Sequence, residues 1–164
     1  MPKLNKKIFT QHHAILSDCV SINAPREYVW DILCDLHQYP DWNPFSYKVE
    51  STLNVGDPID LYVKMEKRGL RQQRETVCIV NKPVQLSWNM KLGAASILQA
   101  QRDQWLTATG EQQCTYQTSD TFSGLLTPVV LALFESDIKT GFNAVAYALK
   151  QRTEMLWQNK EGKN

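Results

Sequence analysis

The sequence predicts an α+β domain in which a curved antiparallel sheet of about seven strands packs on one long C-terminal helix. Three observations carry this. From about residue 46 to residue 122, short runs alternate apolar and polar side chains with turn chemistry between them, the pattern of consecutive antiparallel strands. From about 125 to 158 the period changes, and Leu131, Phe134, Ile138, Phe142, Val145, Leu149 and Leu156 recur in steps of three, four or seven, one stripe of a helix. Only one other stretch, INAPREYVWDIL near the start, has helical spacing.

Taken in order, HHAILSDCVSI at 12–22 predicts the first strand. Pro25 suits the first turn of the helix that follows, where its missing N–H is harmless, and Val29, Ile32, Leu33 and Leu36 give that helix an apolar face. Pro40 and Pro44 then break the helix and push the residues before them towards extended geometry. In SYKVEST, Tyr47 and Val49 share a face, and in IDLYVKM so do Ile59, Leu61, Val63 and Met65. Strands follow at 71–80, 84–90, 96–108 and 114–122. Thr127 can cap the last helix, with Pro128 at its first position. Gly141 sits mid-helix, where glycine costs about 1 kcal/mol against alanine; a close approach of helix and sheet explains it. The start of that helix, LLTPVVLALF, is apolar nearly all round, so the preceding loops, a ligand or a second subunit must cover it.

At 164 residues the chain is expected to form one domain, 11–158, with flexible tails at 1–10 and 159–164. A formal charge of +1 argues against a nucleic-acid partner. No run of apolar residues is long enough to span a membrane, and the basic N-terminus lacks the apolar core of a signal peptide, so a cytoplasmic location is expected. Four scattered cysteines without paired spacing are expected to be reduced thiols. His12 and His13 are adjacent and would point to opposite faces of a strand, so no metal site is expected; nor is a cofactor, since no glycine-rich phosphate loop is present.

Several strings resemble the START-like, Bet v 1-like (SRPBCC) superfamily, and within it the polyketide cyclase/dehydrase-type bacterial proteins. They are INAPREYVWDIL with YPDWNPF, then KPVQLSW, QRDQWLT, TSDTFSGLLTPVV and GFNAVAYALKQRTE, in the family's order and over nearly the whole chain. The resemblance implies a helix-grip fold, with YPDWNPF as a second short helix closing one end of a groove. On that reading Asn43 bonds backbone at the corner, and Trp42 either packs as architecture or walls the cavity mouth.

Chemistry in such a groove comes from polar side chains on the concave face. Period two puts Cys114, Tyr116, Thr118, Asp120 and Phe122 on one face of the last strand, taken as inward from the resemblance and from Phe122. In the strand before it, Leu98, Ala100, Arg102, Gln104 and Leu106 share the face that the resemblance turns inward; the opposite parity would bury Ile97 and Trp105. Arg102 and Asp120 are then expected to form a buried ion pair, extended by Gln104, Thr118 and Tyr116, either as structure or to orient a ligand. Glu75 shares parity with Val77 and Ile79 and would also face inward. Apolar lining is expected from Trp42, Tyr47, Val63, Trp88, Leu98, Phe134 and Phe142.

The leading expectation is a monomer, or possible homodimer, that binds or carries a hydrophobic or amphipathic small molecule. The alternative is a cyclase or dehydratase acting on an aromatic or poly-carbonyl substrate, with Arg102 and Asp120 as catalytic candidates; an arginine partner would hold Asp120 too acidic to serve as a base. A protein-interaction module is a third reading. What separates the first two is whether the groove holds an unpaired acid or base facing empty volume.

Overall fold

The computed structural model describes residues 12–94 and 96–162. The expected tail at 1–10 and the last two residues lie outside the described residues. One eight-stranded antiparallel sheet bends around a long helix, with short helices inserted after the second strand.

The run expected as a single first strand is two, β1 (His13–Leu16) and β2 (Val20–Ile22), both pairing with β8 (Gln113–Ser123). Ser17 interrupts them. Its N–H donates to the Thr118 carbonyl, and its buried hydroxyl donates to the Asp18 carbonyl while accepting from the Thr118 N–H at 3.0 Å. The chain then crosses the sheet through α1 (Arg26–Cys34), a 3-10 turn at Leu36–Gln38 and α2 (Tyr39–Trp42). Pro25 stands just before α1 rather than in its first turn.

Strands β3 (Ser46–Glu50), β4 (Pro58–Met65), β5 (Gly69–Asn81), β6 (Gln85–Leu92), β7 (Leu98–Gly110) and β8 then follow as sequential hairpins. The spatial order is β1-β8-β7-β6-β5-β4-β3. Even-numbered β7 residues from Leu98 to Leu106 are all buried, so the parity that buries Arg102 is the real one and Trp105 faces out.

Helix α3 (Thr127–Glu161) runs three residues past the expected end, has Thr127 inside it rather than as its cap, and buries Ile138, Gly141, Phe142, Val145, Ala146 and Leu149. A Cβ on Gly141 would collide with the ring of Phe45, so the close approach is real, but the partner is this side chain just ahead of β3 rather than the sheet itself. Asn43 fixes that corner by accepting from the N–H groups of Phe45 and Ser46 at 3.1 and 2.7 Å. No helix among the described residues is long and apolar enough to cross a membrane.

Candidate functional site

Between the concave face of the sheet and α3 lies a cavity of about 440 Å3. It opens where the β4–β5 hairpin meets the start of α3, with Arg71 to Arg74 on its lip. The far end is filled by buried Gln104, Leu106 and Tyr116 from the sheet and by Tyr39 and Trp42 from the short helices.

Seven of the residues expected at the site line this cavity: Val63, Trp88, Leu98, Arg102, Asp120, Phe134 and Phe142. Three others, Gln104, Tyr116 and Thr118, are buried but sit behind its wall, where Tyr116 donates its hydroxyl proton to Gln104 Oε1 at 2.8 Å. Trp42 and Tyr47 lie off the cavity. Trp42 packs edge-on against Tyr39 at 5.0 Å and belongs to the plug at the closed end, not the mouth. Tyr47 is turned away by a register shift in β3 between Ser46 and Lys48; these irregular residues let Ser46 and Val49 point inward, and Tyr47 meets Tyr62 on the outer face. A similar shift between Val77 and Ile79 keeps Glu75 and Val77 facing in but pairs Ile79 with Ser87, so Ile79 does not share their face.

The expected ion pair is absent. Arg102 and Asp120 stand directly opposite in the β7–β8 ladder, yet no carboxylate lies within ion-pair distance of Arg102 among the described residues. Its Nε instead donates to Thr118 Oγ1 at 3.2 Å, one inward-facing step towards the closed end, and Thr118 in turn donates to the Asp103 carbonyl. The guanidinium then lies over the Phe142 ring at 4.3 Å, with Trp88 at 5.5 Å and Phe45 at 6.0 Å. Aromatic faces take the place of a carboxylate partner, because a delocalised cation on a ring quadrupole tolerates burial better than an ammonium does.

Asp120 is thereby left without a partner. Its Oδ1 is buried and makes no hydrogen bond, and so is the Nε1 of Trp88, another side chain of the cavity wall. Burial pushes the Asp120 carboxyl up to about 7; the Arg102 charge pulls the other way, and Asp103 adds to the rise. Glu75, across the cavity on β5, is pushed up to about 8, chiefly by burial and then by the Asp120 charge, against Arg102. Two carboxyl groups of one cavity are thus both raised well above the usual carboxylate range, each chiefly by burial.

Sequence reasoning did not place Phe45, Met65 or Met90 on the cavity wall. Phe45 follows Pro44 outside any periodic element; Gly141 was its signal, since mid-helix glycine marks a place where something large approaches. Among the described residues no three His, Cys, Asp or Glu side chains gather where they could hold a metal ion.

The geometry can be set beside known proteins. The chain matches the family described as polyketide cyclase / dehydrase and lipid transport over residues 13–154. No curated protein matches the sequence. Among solved structures, the chain is similar to the Zhui aromatase/cyclase of a Streptomyces species at 16% identity, with 88% of this chain and 94% of that one covered and a TM-score of 0.68. It is similar to norcoclaurine synthase from Thalictrum flavum, solved with dopamine and hydroxybenzaldehyde, at 16% identity over 93% and 90% of the two chains, TM-score 0.66. It is also similar to a START superfamily protein from Mycobacterium smegmatis at 18% identity over 88% and 98%, TM-score 0.64. The helix-grip fold is common to all of them, and the chain belongs to the polyketide cyclase / dehydrase and lipid transport family.

Proposed function

We propose that the cavity binds one small, partly aromatic molecule bearing carbonyl groups and moves a proton on it, as a cyclase or dehydratase does. The observation that carries this is the unpaired carboxyl of Asp120 on the wall of an open cavity, held near neutrality and accompanied by a second carboxyl, Glu75. That is the unpaired acid or base whose presence favours chemistry over simple carriage.

The roles follow from the environments. Asp120, unpaired and opposite Arg102 in the ladder, is the base: as carboxylate it takes a proton from a carbon beside a carbonyl. Glu75, raised by burial and by the Asp120 charge, is the acid that donates to the carbonyl oxygen or to a departing hydroxyl, which leaves as water. Arg102, without a carboxylate of its own, offers its charge to the oxygen on which negative charge develops. Phe45, Trp88 and Phe142 supply flat apolar faces for a planar substrate. A volume of about 440 Å3 lies at the lower end of the range for compact ligands and suits a compound of a few rings better than a two-chain lipid. Four free thiols support the proposed cytoplasmic setting.

A carrier remains the second reading, favoured by the apolar wall of Leu61, Val63, Met65 and Leu98. Deuterium exchange separates the two without knowledge of the natural substrate. Benzoylacetone, an aryl 1,3-diketone, is incubated with the protein in deuterated buffer and its activated methylene followed by NMR. The protein is expected to accelerate exchange, and Asp120→Asn to lose about 100-fold or more of that acceleration while still binding the diketone. Binding with no acceleration leaves the carrier; acceleration unchanged in Asp120→Asn removes the role given to Asp120.

A further inference from the structure

The lip of the cavity is also where the surface is most apolar. Twelve large apolar side chains are exposed among the described residues, and six of them, Leu70, Leu92, Ile97, Leu125, Val129 and Leu133, belong to three segments that meet at this end. Leu70 comes from the β4–β5 hairpin, Leu92 and Ile97 from the β6–β7 connection, and the others from the chain entering α3. Their exposures run from 39% to 67%, so they are not flanks of the core.

The three segments are tied together. Arg68 Nε donates to the Leu133 carbonyl at 2.7 Å, and the Lys67 N–H to the buried Asp137 carboxylate at 3.1 Å. The N–H groups of Leu125 and Leu126 donate to the carbonyls of Ser96 and Ile97, each at 3.0 Å. Gly124, at φ +109°, permits that contact, since a Cβ there would meet the Ile97 carbonyl oxygen at 2.6 Å. Val129 and Leu133, four residues apart on α3, lie on one side of that helix, and Leu125 stands in the turn that leads into it. Val130 and Phe134, one position on, turn into the cavity. The helix start is apolar all round because it faces a cavity on one side and the exterior on the other.

Charge chooses the occupant. Residues 64–74 carry Lys64, Lys67, Arg68, Arg71 and Arg74 against Glu66 alone, 5 − 1 = +4 in a chain of +1. Arg74 is paired with Asp60 and Arg68 lies 4.0 Å from the Asp137 carboxylate, but Arg71 has no ion pair among the described residues and lies over the Phe134 ring at 5.4 Å. A second copy meeting this face about a two-fold axis would bring the cations against their own kind. An anionic bilayer would not: aliphatic side chains enter the boundary between headgroups and acyl chains while the cations meet phosphates.

The geometry points to a peripheral membrane-docking surface, in which the cavity rim lies on an anionic bilayer with Leu70, Leu125, Val129 and Leu133 inserted and Lys67 and Arg71 on the headgroups. Docked mouth-down, the cavity exchanges a hydrophobic compound with the bilayer without carrying it through water. That benefit rests on the proposed small-molecule site; the docking itself does not, and its test uses no ligand.

Flotation of the full chain is measured with vesicles of phosphatidylcholine alone and of phosphatidylcholine mixed with phosphatidylglycerol. The protein is expected to float with the mixed vesicles only and to be released by high salt. Arg71→Gln is expected to lower the partition roughly fivefold, and Val129→Ser with Leu133→Ser to abolish it. Unchanged circular dichroism shows that these surface variants fold. Absence of flotation, equal flotation on neutral vesicles, or flotation that survives both sets of variants overturns the proposal. So does a dimer, detected by sedimentation at assay concentrations and dissociated by Leu133→Ser, which assigns this face to a second copy.

Discussion

Asp120 stands directly across the ladder from an arginine and still keeps one oxygen unpaired, because Arg102 is drawn to Thr118 and to three aromatic rings. Two consequences are measurable. If Asp120 acts ionised and Glu75 protonated, exchange on the diketone follows a bell whose limbs both lie well above the usual carboxylate range, read from a pH–rate profile. Asp120→Asn removes the acidic limb. The same shifts govern stability. Both carboxyls titrate higher in the folded chain than their ordinary values of 3.8 and 4.5, so folding favours their protonated forms. The penalty for ionising them is absent below the ordinary values, grows as pH rises, and is complete above about 8. Urea unfolding is therefore expected to show Asp120→Asn no more stable than the parent at pH 3, but more stable by on the order of 2 kcal/mol at pH 9. An unchanged difference between the two pH values would refute the buried, unpaired state of this carboxyl.

At the scale of elements, two irregularities in strands and one glycine in a helix set the cavity wall. The register shifts at Ser46/Lys48 and Val77/Ile79 turn Tyr47 and Ile79 outward, against simple alternation. Strict period two is legible in a sequence; a one-residue bulge is not, because the bulged residue changes face without changing the hydrophobic string around it. The same limit explains Phe45, which no periodicity marks and which Gly141 receives. Gly141→Ala is expected to destabilise the protein by about 1–3 kcal/mol, although alanine is the better helix former, because its methyl group meets the Phe45 ring. Combining it with Phe45→Leu should cost less than the two changes added separately, a positive coupling readable in a double-mutant cycle. Additive effects would show that the ring is not what excludes the methyl group.

At the scale of the molecule, the succession of antiparallel strands and the long helix were legible, because each rests on many residues repeating one period, whereas the inward face of β7 and β8 came from the family resemblance. The absence of the ion pair was not legible. Parity puts Arg102 and Asp120 on one face, but which way a long side chain turns depends on rings contributed from α3 and from the segment before β3, far away in sequence. The cavity's volume depends on the same long-range packing. It can be tested by filling it: Ala100 lines the wall, and Ala100→Leu is expected to weaken binding of an aromatic probe roughly tenfold or more while leaving the thermal midpoint unchanged or higher, since the added atoms enter empty space. A lowered midpoint with unchanged binding would mean that this wall is already packed.

The cavity is closed at its inner end, where the lining stops at Arg102 and Asp120 and the next inward side chains of β7 and β8, Gln104 and Thr118, are buried. A closed end makes the pocket a ruler. A chain-like substrate can only be threaded head first, and its head stops at the closed end. The distance from that closed end to Asp120 then decides which carbon along the chain loses its proton, so homologues lengthened at the leading end should react one position further along, while those lengthened at the trailing end should react at the same atom. The product occupies the same cavity as the substrate and is expected to inhibit competitively.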